Sequence, residues 1–250
     1  MTQGIPTIVG HRGARGEAPE NTLAGFQVAL EAGVREVELD VRLSRDGHLI
    51  VVHDQHVTRT TGERGKAHHY TLAQLGVLDA RHNTPGWHSP VCIPSLREVV
   101  ALCGPAMRFQ FEVKGTESTL LHRLAHQLVA LIDELGLHHR VVVTSKHTGF
   151  LRMLGNMTPR VERGYVVEYR YQQPTRRAAG LGCAWVMPRH SLVTPALMRR
   201  ARRRGLKVST WTVNDLMEAE RLAGLGVDGI ITDFPTSFIA HFNKRRADRD

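Results

Sequence analysis

The sequence predicts an α/β protein folded as a (β/α)8 TIM-type barrel, and three observations lead there. Strand-like and helix-like runs alternate along the chain. Nine apolar runs read as strands, at residues 7–11, 36–42, 48–53, 108–113, 141–145, 162–167, 184–187, 206–212 and 229–232. The second and third are joined only by Ser44, Arg45, Asp46 and Gly47. That is too short for the roughly dozen residues of a parallel crossover, but it suits an Asp-Gly hairpin. The third run therefore returns antiparallel, and eight strands remain to close a barrel.

The elements follow in order. The first strand ends at His11-Arg12-Gly13, at the barrel face where active sites are built. Asn21 is expected to cap a helix with Leu23, Phe26 and Leu30 on one face, stopped at Gly33. After His53, residues 55–92 carry Gly62, Gly65 and weak periodicity, which predicts a small insertion near one mouth, after the hairpin that follows strand 2. Later helices are expected at 117–135, 195–204 and 215–223, with Gly136, Gly205 and Gly224 as stops and Asn214 as a cap. No linker, low-complexity stretch or repeat divides the chain, so residues 1–250 are expected to form one domain.

With 250 residues, 42% hydrophobic and 23% charged, the chain excludes a disordered, collagenous or membrane class. No apolar run approaches the roughly 18 residues of a membrane span, and the N-terminus lacks a basic region followed by an apolar core. A cytoplasmic location is expected. Cys92, Cys103 and Cys183 have no C-x-x-C spacing, so they read as core residues rather than disulfides or zinc ligands.

The formal charge of +9 is local. Residues 169–214 hold ten basic and no acidic residues, and the remainder has 23 basic against 24 acidic. On the helix from Pro195, Leu197, Met198 and Ala201 share one face, so its arginines are expected to point to solvent. Such a sector suits long-range attraction of phosphodiesters or peripheral contact with an anionic membrane. No recognition helix or aromatic-interleaved basic strand supports specific nucleic-acid binding.

Alternation in residues 36–42 puts Val37, Leu39 and Val41 on one face and Glu38, Asp40 and Arg42 on the other. Residues 109–114 repeat it, with Gln110, Glu112 and Lys114 opposite Phe109, Phe111 and Val113. The apolar faces should meet the helices, which turns three carboxylates into the barrel. Hard oxygen donors of this kind suit Mg²⁺ or Ca²⁺. They equally suit a buried network with Arg12, Arg42 and Lys114, and the residues alone leave both readings open.

His53, level with Glu38 if the hairpin pairs symmetrically, would share a pocket with His11. Two imidazoles there suit general acid and base work, and Arg12 and Lys114 suit a phosphate. A single histidine among 15 would mean little; two converging on three carboxylates mean more. Trp211, at the end of a strand, reads either as a pocket wall or as packing. Gly10, Gly13 and Gly16 do not have dinucleotide-fingerprint spacing, so no nucleotide cofactor is expected.

These residues resemble the glycerophosphodiester phosphodiesterase family. The resemblance rests on His11-Arg12-Gly13, Ala18-Pro19-Glu20-Asn21-Thr22, Glu38-Leu39-Asp40-Val41, Ser44-Arg45-Asp46-Gly47, His53-Asp54 and Arg59-Thr60-Thr61-Gly62. It continues through Pro94-Ser95-Leu96, Phe111-Glu112-Val113-Lys114, Trp211-Thr212-Val213-Asn214 and the run from Gly226 to Pro235. It implies a barrel with an insertion, a divalent metal (Mg²⁺ or Ca²⁺) on Glu38, Asp40 and Glu112, catalytic His11 and His53, and phosphate contacts from Arg12 and Lys114.

The implied reaction is hydrolysis of a glycerophosphodiester to sn-glycerol 3-phosphate and an alcohol. His53 would act as base and His11 as acid, or the reverse, and attack by water and by the substrate's own hydroxyl both remain open. Lys146, after Ser145, departs from the family pattern, which often has an aromatic residue there, and so leaves the alcohol group open. Two rival functions are lysophospholipase D-type hydrolysis of single-chain lipids and a catalytically idle protein that binds anionic surfaces.

Overall fold

The computed structural model describes residues 5–114 and 118–247. In chain order they form β1 (Thr7–His11), α1 (Leu23–Glu31), β2 (Glu36–Leu43), β3 (Leu49–Val51), α2 (Thr58–Thr61), α3 (Leu72–Leu75), α4 (Leu96–Cys103), β4 (Arg108–Val113) and α5 (Ser118–Glu134). Then come β5 (Val141–Ser145), α6 (Thr148–Met157), β6 (Glu162–Val167), α7 (Pro174–Gly180), β7 (Trp185–Pro188), α8 (Pro195–Arg202), β8 (Lys207–Thr210), α9 (Leu216–Leu225), β9 (Gly229–Thr232) and α10 (Pro235–Ala247).

Strands pair in the order β1-β9-β8-β7-β6-β5-β4-β2, and β1 also pairs with β2, which closes a parallel ring of eight. β3 lies antiparallel on β2, outside the ring. The fold is the expected (β/α)8 barrel, with each of the nine expected runs present. Val37, Leu39 and Val41 are wholly buried against the helices, in a core that includes Phe26, Phe109, Phe111, Leu124 and Leu128. Burying such side chains contributes about 1.5–3 kcal/mol each, so the apolar period of these strands decides which way their polar face turns. That face, with Glu38 and Asp40, points into the barrel.

The hairpin turns at Gly47, at φ 86°, with the Ser44 N–H donating to the His48 carbonyl at 2.9 Å. Its register differs from the expected one. Val41 lies opposite Val51, which extrapolates to His53 level with Leu39 rather than Glu38, and the ladder ends before His53. Arg42 does not join the carboxylates; it donates from Nε and Nη2 to the His53 carbonyl at 3.0 and 2.7 Å, fixing where that residue sits.

Two expected caps are corrected. Thr22, not Asn21, caps α1, accepting from the Gly25 N–H, and Asp215, not Asn214, caps α9. Both asparagines are recruited by carboxylates of the site described below. α9 also runs past Gly224 and ends at Gly226, at φ 77°. Of the helix expected at 117–135, Ser118–Glu134 is seen, and Glu117 lies outside the described residues. Among the described residues, α4, α6, α7 and α10 are helices beyond the expected set; α4 opens on a capping box of Ser95 and Glu98.

Residues 55–92 carry the short helices α2 and α3 over a small core of their own, with Val57, Ala67, Leu75 and Ala80 packed on Ile50, Val52 and Ile93. Cys103 and Cys183 are buried and Cys92 half-buried, all free. α8 buries Leu197, Met198 and Ala201 and exposes Arg199, Arg200 and Arg202. No helix among the described residues is long and apolar enough to cross a membrane.

Candidate active site

β2 and β4 are neighbours whose parallel register sets Asp40 beside Glu112 and Glu38 beside Gln110. Oxygens of Glu38, Asp40 and Glu112 all lie within 4.8 Å of one another. Lys114 Nζ bridges two of them, 2.9 Å from Asp40 Oδ1 and 2.8 Å from Glu112 Oε1. Arg12 Nε lies 3.1 Å from Asp40 Oδ2, and Asn21 Nδ2 donates to the same oxygen at 2.8 Å. Thus Asp40 has two cations and an amide, whereas Glu38 accepts only the Arg12 backbone N–H, at 3.2 Å on Oε2. Glu38 Oε1 is buried with no hydrogen-bond partner.

Protonation follows these partners. Burial pushes the Glu38 carboxyl well above its ordinary value, and the charges of Asp40 and Glu112 push the same way. Burial would raise Asp40 as well, but Lys114 and Arg12 outweigh it and hold Asp40 far below the usual carboxylate range. The expected ion-pair network is present in part, through Arg12 and Lys114. Two cations satisfy Asp40 and Glu112, and Glu38 is left as a hard, buried oxygen donor without one. Such a donor set fits a divalent cation, which would supply the charge that Glu38 lacks.

His11 and His53 line the same cavity of about 260 Å³, together with Glu38, Glu112, Lys114 and Arg12. His11 Nδ1 meets Asp233 Oδ1 at 2.5 Å, and Nε2 lies 3.9 Å from Glu38 Oε2. His53 Nδ1 meets Asp54 Oδ1 at 2.6 Å. Each ring is oriented by a carboxylate at Nδ1, which leaves Nε2 for chemistry. Burial lowers both imidazoles from their ordinary value, outweighing the carboxylates that would raise them.

Reading the residues singly missed these carboxylates and a third. Asp233 follows β9, the barrel neighbour of β1, and Asn214 Nδ2 holds its other oxygen at 2.8 Å. Asp54 directly follows His53 and is braced by Arg59 Nε at 2.6 Å. Glu20 is buried and accepts from Arg12 at 2.7 Å, from Arg59 at 2.7 and 2.8 Å, and from Asn83 at 3.2 Å. Burial would raise Glu20, but Arg59 and Arg12 hold it down at about 2. It ties the loop after β1 to the insertion. The sequence signal was their presence inside the matching runs; what it lacked was any sign of partner.

The loop that presents Arg12 needs Gly13, at φ 84°, because a Cβ there would lie 2.6 Å from the Gly25 carbonyl carbon. Trp211 is half-buried and packs against a small cluster that includes Val166 and Met187. It lines the cavity, and its Nε1 donates to the Met187 carbonyl at 2.8 Å.

The model of the glycerophosphoryl diester phosphodiesterase family matches residues 11–237. The chain belongs to that family. It is 33% identical over 233 residues to a glycerophosphodiester phosphodiesterase of Caldanaerobacter subterraneus, covering 93% of this chain and 96% of that protein. It is 31% identical to one of Bacillus altitudinis, covering 91% and 94%. Among solved structures, a phosphodiesterase of Oleispira antarctica in complex with the product sn-glycerol-3-phosphate superposes with a TM-score of 0.84 at 27% identity, covering 96% of this chain and 97% of that one. A glycerophosphodiester phosphodiesterase of Agrobacterium tumefaciens gives 0.82 at 26% identity, covering 94% and 99%. As a family member the chain is a phosphoric diester hydrolase, of the glycerophosphodiester phosphodiesterase kind.

Proposed function

We propose that the chain hydrolyses glycerophosphodiesters to sn-glycerol 3-phosphate and an alcohol, with Glu38, Asp40 and Glu112 holding Mg²⁺ or Ca²⁺ and with His11 and His53 moving the protons. The observation that carries this reading is the unpartnered Glu38 oxygen, inside a three-carboxylate cluster that shares its cavity with two carboxylate-oriented histidines. The bound cation would neutralise non-bridging phosphate oxygens. Arg12 and Lys114 add fixed positive charge where negative charge grows in the transition state, and their own ion pairs hold them in place beforehand.

Burial lowers each imidazole, which favours the neutral form of both rings in the free site. The charge of a bound phosphate reverses part of that, and a carboxylate at Nδ1, Asp233 on His11 and Asp54 on His53, favours the imidazolium of each ring. In this reading His11 is the acid that protonates the leaving alkoxide at Nε2. His53 stays neutral and takes the proton of the attacking hydroxyl, while Asp54 steadies the ring as it charges. Trp211 forms a wall for the alcohol portion. The reaction is proposed for one barrel domain with its insertion at residues 55–92, in the cytoplasm.

The test is a panel of metals and substrates. After chelation, activity on glycerophosphodiesters should vanish and return with Mg²⁺ or Ca²⁺, with sn-glycerol 3-phosphate as product. Full activity in chelator overturns the metal assignment, and cleavage of lysolipids alone would favour the single-chain-lipid reading.

A further inference from the structure

The cavity has two ends of different chemistry. Away from the acidic cluster its wall is formed by Val166, Met187, Trp211, Thr212 and Ile231, with Lys146 at the rim. Among the described lining residues the only carboxylates are Glu38 and Glu112, both in the cluster at the other end. The distal wall thus offers an alcohol group one aromatic ring, apolar surface, a hydroxyl and one ammonium.

That ammonium is placed over the ring. Lys146 Nζ sits 5.5 Å from the Trp211 ring centroid and donates to Glu168 Oε2 at 2.8 Å. Both partners of the contact are held. The indole is pinned by its N–H on the Met187 carbonyl, and Lys146 is pulled to one side by Glu168, whose carboxylate stands outside the cavity lining. A quaternary ammonium in such a pocket is normally bound by an aromatic face or a carboxylate. Here the face already carries a cation, and the nearby carboxylate is turned to that same cation.

We propose, building on the phosphodiesterase reading above, that Lys146 sets substrate choice: the site takes glycerophosphodiesters whose alcohol is an uncharged polyol or bears negative charge, and it disfavours those ending in a quaternary ammonium. A choline group must either displace Lys146 from the indole or lie beside a like charge. A glycerol or cyclitol group instead meets two spare N–H donors on Lys146 and the Thr212 hydroxyl. Glu168 moderates the effect, because it offsets part of the lysine's charge. Lys146 is a specificity residue and takes no part in proton transfer.

The experiment measures kcat/KM of the metal-loaded enzyme for glycerophosphoglycerol and glycerophosphocholine. The wild type should favour the glycerol diester by about tenfold or more, the size of discrimination that one cation contact supports. Lys146→Leu should bring the two within about threefold, mainly by improving the choline diester, and Glu168→Gln should widen the gap. Lys146 and Glu168 are both partly exposed, so the variants should fold, and a purely structural role would lower both substrates alike. Equal use of both diesters by the wild type overturns the proposal, as does an unchanged ratio in Lys146→Leu. Cleavage of neither diester would overturn the functional reading itself, a distinct result.

Discussion

Two regions of this molecule concentrate charge, and they use it in opposite ways. At the barrel mouth Arg12, Lys114, Glu20, Glu38 and Asp40 are largely buried, and each of the two cations touches two carboxylates. Along α8, Arg199, Arg200 and Arg202 are exposed, and none of the three makes a carboxylate pair among the described residues. Water screens the second group and not the first, so the same side chains shift protonation and orient partners in one place and mainly set net charge in the other. The comparison teaches that density of charge in the sequence is a poor guide to where charge does chemistry; burial decides.

The sharpest way to break the contrast is at the histidines. His11→Ala and His53→Ala should each lower kcat by about 10²–10⁴, with circular dichroism and Tm near those of the wild type. Near-normal turnover by the His11 variant would remove the proton-transfer assignment. Next in size, Glu112→Gln takes one donor from the cluster and should raise the metal concentration for half-maximal activity by about tenfold or more. Titration of chelated enzyme with Mg²⁺ reads this directly, and an unchanged midpoint would place the metal elsewhere.

Glu20 tests burial through pH. Its folded value of about 2 lies below the ordinary 4.5, so its ionisation stabilises the fold fully above about pH 4.5, and that contribution is lost as pH falls toward 2. At pH 7 Glu20→Gln should be less stable than wild type by up to about 3 kcal/mol. Denaturant melts across this range should show the gap closing on acidification; a constant gap would mean the carboxylate is not held down. The smallest effect is expected in the arginine sector. Reversing Arg199, Arg200 and Arg203 to Glu should leave kcat at high salt nearly unchanged and slow kcat/KM only at low salt. A collapse at high salt would mean α8 supports the site.

Much of this was legible in the residues. The nine strand-like runs, less the returning hairpin, gave the barrel, because a period of two and a four-residue link constrain strand geometry tightly. The inward turn of Glu38, Asp40 and Glu112 was legible for the same reason. The caps failed at Asn21 and Asn214, since a polar residue before a helix has the same local pattern whether it caps the helix or reaches across to a carboxylate. Asp233 lies 222 residues from its partner His11, and no local pattern carries such a pairing. The hairpin register slipped by one because symmetry about the turn was assumed, whereas the Arg42 contact to the His53 carbonyl fixes the chain as it leaves the ladder.

The sequence by itself thus determined the class of fold, the faces that β2 and β4 turn inward, and the histidines, carboxylates and cations that those strands, β1 and the loops after β1, β3 and β4 bring to the barrel mouth, Asp54, Asp233 and Glu20 excepted. These follow from backbone periodicity and from the burial of apolar side chains, which act over a few residues at a time. Only the tertiary structure decided which carboxylate was left without a cation, which acids hold the two imidazoles, and that Lys146 covers the indole of Trp211. Those outcomes depend on distances between elements far apart in the chain, and on how much water the closed barrel leaves around each charge.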